Sequence, residues 1–212
     1  MDAIKRKPAQ RSTYRHGDLR RALLEAGIAL ARDGGPEAVV LREATRRAGV
    51  APNAAYRHFA SREDLLAAVR AQALAEVGRA MQAQYAAASA SGSDADRARA
   101  RVRAVGRGYL GFALAETGLF RTAFGGPFEV DPEAARAGAE GHNPFGHLNA
   151  ALDALVAAGA LAPERRAGAE YLAWSSVHGL ALLALDGPLK ALPRPALVAL
   201  GERLLDMVER GL

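Results

Sequence analysis

Apolar residues fall at helical spacing along nearly the whole chain, and glycine and proline punctuate the runs. Leu19, Ala22, Leu23, Ala26 and Leu30 stand at i, i+3, i+4, i+7 and i+11, one face of a helix that Gly34, Gly35 and Pro36 end. The same spacing returns in Leu65, Leu66, Val69, Ala73, Val77 and Met81, and again in Leu197, Leu200, Leu204, Leu205 and Val208. Alanine and leucine dominate while β-branched residues are sparse, so an all-α chain without strands is expected. Its 212 residues suit one domain or two small ones with a real hydrophobic core.

The breaks divide the chain. Residues 1–13 are polar and basic and read as a flexible arm. Short helices are expected from about Leu41 to Ala48 and from Pro52 to His58, with Gly49 ending the first, Val50 buried in the turn and Pro52 opening the second. Ser61 followed by Asp64 resembles a capping box and opens a long helix. The small, polar stretch 87–94 reads as a loop. Further helices are expected over 96–116, 117–124, 132–139, 144–158 and 163–185, and the last one follows a Gly/Pro-rich turn. These breaks suggest an arm (1–13), a three-helix unit (14–60) and a helical C-terminal domain (61–212) entered by the long helix.

Charge narrows the function. Met1 to Phe59 carries twelve Lys/Arg against six Asp/Glu, whereas the remainder is nearly neutral within a net charge of +5. Basic charge confined to one end suggests an acidic partner there, nucleic acid before an anionic membrane. A membrane-binding face would set bulky apolar residues against Lys/Arg, whereas here the basic residues occupy a turn-containing helix pair. No apolar run is long enough to span a bilayer and no signal-like segment follows the basic start; with cysteine absent, a cytoplasmic location is expected. No phosphate-cradling loop, nucleophile elbow or His-Glu-x-x-His pair occurs, and His142 and His147 are too few to argue a metal site. Neither an enzyme nor a cofactor is expected.

The informative stretch is Tyr14 to Leu66. Two short helices meet at Ala48-Gly49-Val50, and the second projects Asn53, Ala54, Tyr56, Arg57 and His58. A helix fits the DNA major groove, small residues let its backbone approach the bases, and Tyr and His can bond phosphates. Phe59 reads as core, Tyr56 as a phosphate contact or packing, His16 as support for an N-terminal turn, and Arg46 and Arg47 equally as a solvated face.

These residues, in this order, resemble the TetR family of bacterial transcription regulators. Tyr14-Arg15-His16-Gly17-Asp18-Leu19-Arg20 is similar to that family's opening, Leu41 to Phe59 to its helix-turn-helix, and Ser61 to Leu66 to the start of its fourth helix. The resemblance implies an all-α homodimer that binds double-stranded operator DNA and is released by a small-molecule effector. By position it puts Arg42 and Asn53 near bases or adjoining backbone, and Tyr56, His58 and Arg62 near phosphates, with Ala51, Ala54 and Arg57 in the same surface. Departures are Val40, which removes a common Ser/Thr helix cap, Ala51 in place of a phosphate-bonding serine, and Ala44-Thr45 in place of a branched-apolar/Ala pair.

Toward the C-terminus Trp174, His178 and Gly179 resemble the Trp-His-Gly signature of one ligand-domain subgroup. Tyr109, Phe112, Phe124, Trp174 and His178 are the candidates to line an effector pocket; Phe120, Phe128 and Phe145 read as core. Such a pocket suits a small, largely apolar molecule. Leu172, Leu180, Leu182, Leu183 and Leu185 make the 163–185 helix apolar nearly all round, so a dimer contact is expected through it and through 145–158, where Ala150, Ala154 and Ala157 permit close approach. The expected function is a repressor; an activator, a regulator without effector, and a helical ligand-binding protein with a membrane-associating N-terminus are the alternatives.

Overall fold

A computed structural model describes residues 16–88, 91–126 and 143–212. Among them every regular element is helical: α1 His16–Gly34, α2 Leu41–Ala48, α3 Pro52–Ala55, α4 Arg62–Ala87, α5 Asp94–Ala115, α6 Thr117–Phe124, α7 Pro144–Ala157, α8 Ala169–Leu185 and α9 Arg194–Gly211. The basic arm, the helix expected over 132–139, Phe128 and His142 lie outside the described residues.

Local chemistry fixes most of the ends. The Ser61 hydroxyl accepts from Asp64 N at 3.1 Å, and the Asp64 carboxylate accepts from Ala60 N at 3.0 Å, so the pair that opens α4 satisfies free amides from both sides. Ser93 and Asp96 form the reciprocal box at α5, which therefore begins at Asp94, two residues before its expected start. Val40 supplies no side-chain cap to α2. Two expected boundaries are corrected. Pro163–Arg165 is only a 3₁₀ turn, and α8 starts at Ala169 because Gly168, at φ 81°, sits in the left-handed region that breaks a helix. The third helix stops at Ala55, whose carbonyl then accepts from both His58 N and Phe59 N, so Tyr56 to His58 form a turn.

The longest helices, α4 and α5, pack on each other and carry the rest: α1 and α6 lie on α4, while α7, α8 and α9 lie on α5. One apolar core runs from Leu19, Leu23 and Phe59 through Leu65 and Val69 of α4 to Tyr109, Leu119, Leu152 and Leu205. On the outer side of α5, Arg107 forms a bidentate pair with Glu202, and Arg103 reaches Asp206 at 3.1 Å and Glu209 at 3.4 Å, tying α9 down. Among the described residues, the uncovered large apolar side chains of α8 and α9 are Tyr171, Leu172, Leu182, Leu183, Val198 and Met207. In α8, Leu185 is buried and Leu180 half-buried, so of the apolar residues expected nearly all round this helix, the exposed ones lie on one side. In α7, Leu148, Ala151, Leu152 and Leu155 are buried.

Candidate functional site

The first candidate surface is the α2–α3 pair. Gly49 closes α2 at φ 67°, ψ 32°, a left-handed conformation that costs a residue with a Cβ but not glycine. Its turn is held by Gly49 N to Arg46 O and Val50 N to Thr45 O, and Val50 is half-buried there rather than fully enclosed. Beneath, Leu41, Ala44, Thr45, Ala55 and Phe59 are buried. The Thr45 hydroxyl donates to Arg42 O at 2.6 Å, so the polar atom that replaces a methyl in this small core is satisfied. Phe59 is 2% exposed, as expected of a core residue, and the Arg20 guanidinium lies 5.1 Å from its ring centroid.

What faces outward separates into engaged and unengaged groups. Arg42, Ala51, Asn53, Tyr56 and Arg57 are exposed, and Ala54 and His58 half-buried. Tyr56, at 58% exposure, is not packed into the unit. By contrast Arg46 is bound to Glu43 along its own helix, which holds the Glu43 carboxyl below its ordinary range, and Arg47 reaches Asp33 at 3.0 Å. Arg62, expected on a phosphate, is engaged within the protein. Its Nε donates to Val39 O at 2.9 Å and a terminal nitrogen donates to Pro36 O at 2.8 Å, an oxygen that also accepts from Val39 N in the 3₁₀ turn Pro36–Ala38. The guanidinium is a tie across this turn.

The second candidate site is a cluster of rings from four helices. Tyr109 of α5 stands edge-on to Phe120 of α6, centroids 5.3 Å apart, and Phe120 contacts Phe124 one turn on at 4.8 Å. Phe124 lies 5.3 Å from His178 and 6.4 Å from Trp174 of α8, and Phe145 of α7 lies 6.0 Å from Trp174. Trp174 Nε1 donates to the Tyr109 hydroxyl at 3.2 Å, and that hydroxyl meets His178 Nδ1 at 2.8 Å. Burial raises the Tyr109 pKa above its ordinary value and lowers that of His178, so both are held neutral. Four of the five expected effector residues thus meet. Phe112 does not join them: it is buried in the core and makes no ring contact among the described residues. Phe120 and Phe145, read as plain core from sequence, belong to the cluster; the i, i+4 spacing of Phe120 and Phe124 on α6 was the available signal. A separate groove of ≈ 200 Å³, lined by Leu110, Leu114, Leu180, Leu197 and Val198 among others, includes none of the expected effector residues.

Helix α6 joins the two sites. Its Phe120 and Phe124 enter the ring cluster, while Gly118 lies against the end of α1, where a Cβ would stand 2.2 Å from Ala31 O and 2.5 Å from Arg32 O. Next to this contact, Arg32 of α1 bonds Glu116 at 2.7 Å and Glu76 of α4 at 3.2 Å. Arg70 of α4 donates to Thr122 O and Gly125 O, closing the other end of α6. Among the described residues no helix is long and apolar enough to cross a membrane.

The similarities to known proteins follow the same division. Residues 23–69 match the bacterial regulatory proteins of the tetR family, and residues 102–208 match tetracyclin repressor-like C-terminal domains, a description that does not extend to the Trp-His-Gly grouping. No curated protein matches. Among solved structures, a Rhodococcus sp. RHA1 protein of unknown function is 29% identical with a TM-score of 0.72, over 95% of this chain and 98% of that one. The TetR family regulator PfmR from Thermus thermophilus shares the fold at 18% identity and a TM-score of 0.53, over 90% and 98% of the two chains. A tetR family regulatory protein from Rhodococcus RHA1 does so at 18% identity and 0.51, over 90% and 96%. With its helix-turn-helix and half of its length, the C-terminal half, both matched, the chain belongs to the TetR family of DNA-binding transcription regulators.

Proposed function

We propose that the protein is a homodimeric repressor that binds a near-palindromic operator and leaves it when a small, largely apolar effector enters the C-terminal domain. The observation that carries this reading is the set Arg42, Asn53, Tyr56, Arg57 and His58, exposed or half-buried on a basic helix pair and without a side-chain partner among the described residues, while neighbouring arginines are internally paired. Arg42 and Asn53 read base edges, and Tyr56, Arg57 and His58 hold phosphates, with the small Ala51 and Ala54 allowing close approach. The dimer forms through the exposed apolar face of α8 and α9, in place of the α7 alanines. The effector displaces rings around Tyr109, Phe124, Trp174 and His178, and α6 passes the shift to α1 through Gly118 and Arg32, alongside the long α4.

The test is binding of a fluorescent operator duplex by the purified dimer. Affinity is expected to fall linearly with log salt, by about 0.9 log units for each phosphate neutralised, and a single half-site is expected to bind far more weakly than two half-sites about one helical turn apart or slightly more. Effector and operator must weaken each other by the same factor, typically about 1–3 kcal/mol. Salt-independent binding, a monomer by light scattering at micromolar concentration, or an effector affinity unchanged by operator would each refute the corresponding part.

A further inference from the structure

The hydrogen bonds within the ring cluster have only one consistent direction. An indole Nε1–H can donate and never accept, so at 3.2 Å the Tyr109 oxygen is the acceptor from Trp174. The phenol has a single proton, and its other polar neighbour is His178 Nδ1 at 2.8 Å. An Nδ1–H donating to the phenol would leave the Tyr109 proton without an acceptor, so the arrangement that satisfies both groups sends that proton to a bare Nδ1, and a neutral imidazole with bare Nδ1 carries its hydrogen on Nε2. Tyr109 is 2% exposed, so solvent does not compete for this chain. Burial disfavours the imidazolium, which would put a second proton on the Nδ1 that Tyr109 needs. The far end, His178 Nε2–H, has no hydrogen-bond partner among the described residues and lies among Phe120, Phe124 and Trp174, with ring centroids 5.3 to 5.9 Å away.

We propose that the chain Trp174→Tyr109→His178 ends in a fixed Nε2–H donor that selects effectors carrying a neutral carbonyl oxygen on an apolar body: ketones, esters, lactones or amides. This rests on the effector reading above and adds the chemistry of the ligand. A ligand that covers this donor takes it from water, and a carbonyl oxygen on an apolar body restores its hydrogen bond while apolar carbon meets the rings. Among the described residues a carboxylate would meet no cation of α7 or α8, and Arg70 of α4, close to Phe124, is already held by Thr122 O and Gly125 O. Helices α7 and α8 contain no lysine or arginine, Arg121 of α6 is bound to Asp186, and on α5 Arg103 and Arg107 are held by α9 acids. Glu170, at the start of α8, is paired with Arg166. An ionised ligand would lose its hydration without compensation.

Trp174 is the chain's single tryptophan, so its fluorescence reports the site directly. The experiment titrates the full-length protein with straight-chain probes of equal length: a methyl ketone, a methyl ester, an alkane and a carboxylate. The ketone and ester are expected to bind about tenfold or more tightly than the alkane and the carboxylate, the ratio one hydrogen bond commonly supplies. In His178→Phe, which keeps a ring and removes the donor, that preference is expected to vanish while alkane binding persists. Equal binding of ketone and alkane, a preference that survives His178→Phe, tightest binding of the carboxylate, or no binding of ketone or ester up to solubility would overturn the proposal. Long-range ¹⁵N–¹H NMR on the wild-type protein tests it without any variant: His178 is expected as the Nε2–H tautomer, and an Nδ1–H tautomer would overturn it. Operator binding is followed in the same titrations. Carbonyl preference without loss of operator would refute release and leave the ligand chemistry standing; release by all probes alike would do the reverse.

Discussion

The helix-turn-helix and the ring cluster are built in opposite ways. In the first, the outward groups lie within Arg42 to His58, and each is placed by its own short helix or turn on a small core of Leu41, Ala44, Ala55 and Phe59. In the second, Tyr109, Phe124, Phe145 and Trp174 come from separate helices, and the bonds that organise it span 65 and 69 residues of sequence. The outward groups of the first are exposed or half-buried and have no side-chain partner among the described residues, whereas Trp174, Tyr109 and His178 of the second are bonded in a chain.

The largest expected effect probes the exposed side of this contrast. Raising salt from 50 to 200 mM is expected to lower operator affinity by about a thousandfold or more if the dimer neutralises six or more phosphates. Within that series, Tyr56→Ala/Arg57→Ala weakens all duplexes alike and flattens the salt slope, while Arg42→Ala or Asn53→Ala changes base preference, by about 1–3 kcal/mol at the affected position where the contact is bidentate. A salt slope unchanged in the Tyr56/Arg57 variant would mean that these exposed groups are not the phosphate contacts.

The next effect tests the junction between the regions. Gly118→Ala puts a methyl where Ala31 O already stands, and is expected to cost about 1–3 kcal/mol of stability in thermal or urea unfolding. Operator binding is expected to respond as well, because α1 is displaced, whereas a Gly111→Ala control has open space at its Cβ. Equal behaviour of the two variants would break the argument for a tight α1–α6 contact.

Arg62→Ala sharpens the distinction between engaged and unengaged arginines. It takes the side-chain donor from Val39 O and from Pro36 O, the second of which keeps Val39 N, so a loss of about 1–2 kcal/mol of stability is expected. The salt slope of operator binding is expected to hold, unlike that of Arg57→Ala. An unaltered unfolding curve with a reduced slope would restore Arg62 to the phosphate.

The smallest effect comes from the enclosed site. The folded-state pKa of His178 lies below its ordinary value of 6.5 because burial penalises the charged ring. Its contribution to stability is therefore fully present above about pH 6.5 and is lost as pH falls through the depressed folded value, where the unfolded chain binds the extra proton. The melting temperature is expected to drop in that acid window, and to drop less in His178→Phe. Identical acid profiles would show that His178 is not held neutral. The groups facing it are Tyr109, Phe120, Phe124 and Trp174, which carry no charge in this range.

The sequence by itself determined what short-range physics controls. Helical periodicity, the Ser61–Asp64 cap, Gly49 and Pro52 located α2 and the starts of the next two helices, though not the early end at Ala55, because each of those signals acts within a few positions. The same locality made the exposed face of α2 and α3 legible. Tertiary structure alone decided which arginines are unengaged. Arg62 and Arg57 look alike in sequence, but only one lies beside carbonyls contributed by residues 23 and 26 positions earlier. It alone decided that Phe120 and Phe145 join the ring cluster while Phe112 does not, and that α8 turns Leu185 inward and Leu182 outward. An amphipathic pattern records that a face is buried, but not which distant helix covers it. The direction of the Trp174–Tyr109–His178 chain follows from three atoms that only packing brings within hydrogen-bonding distance.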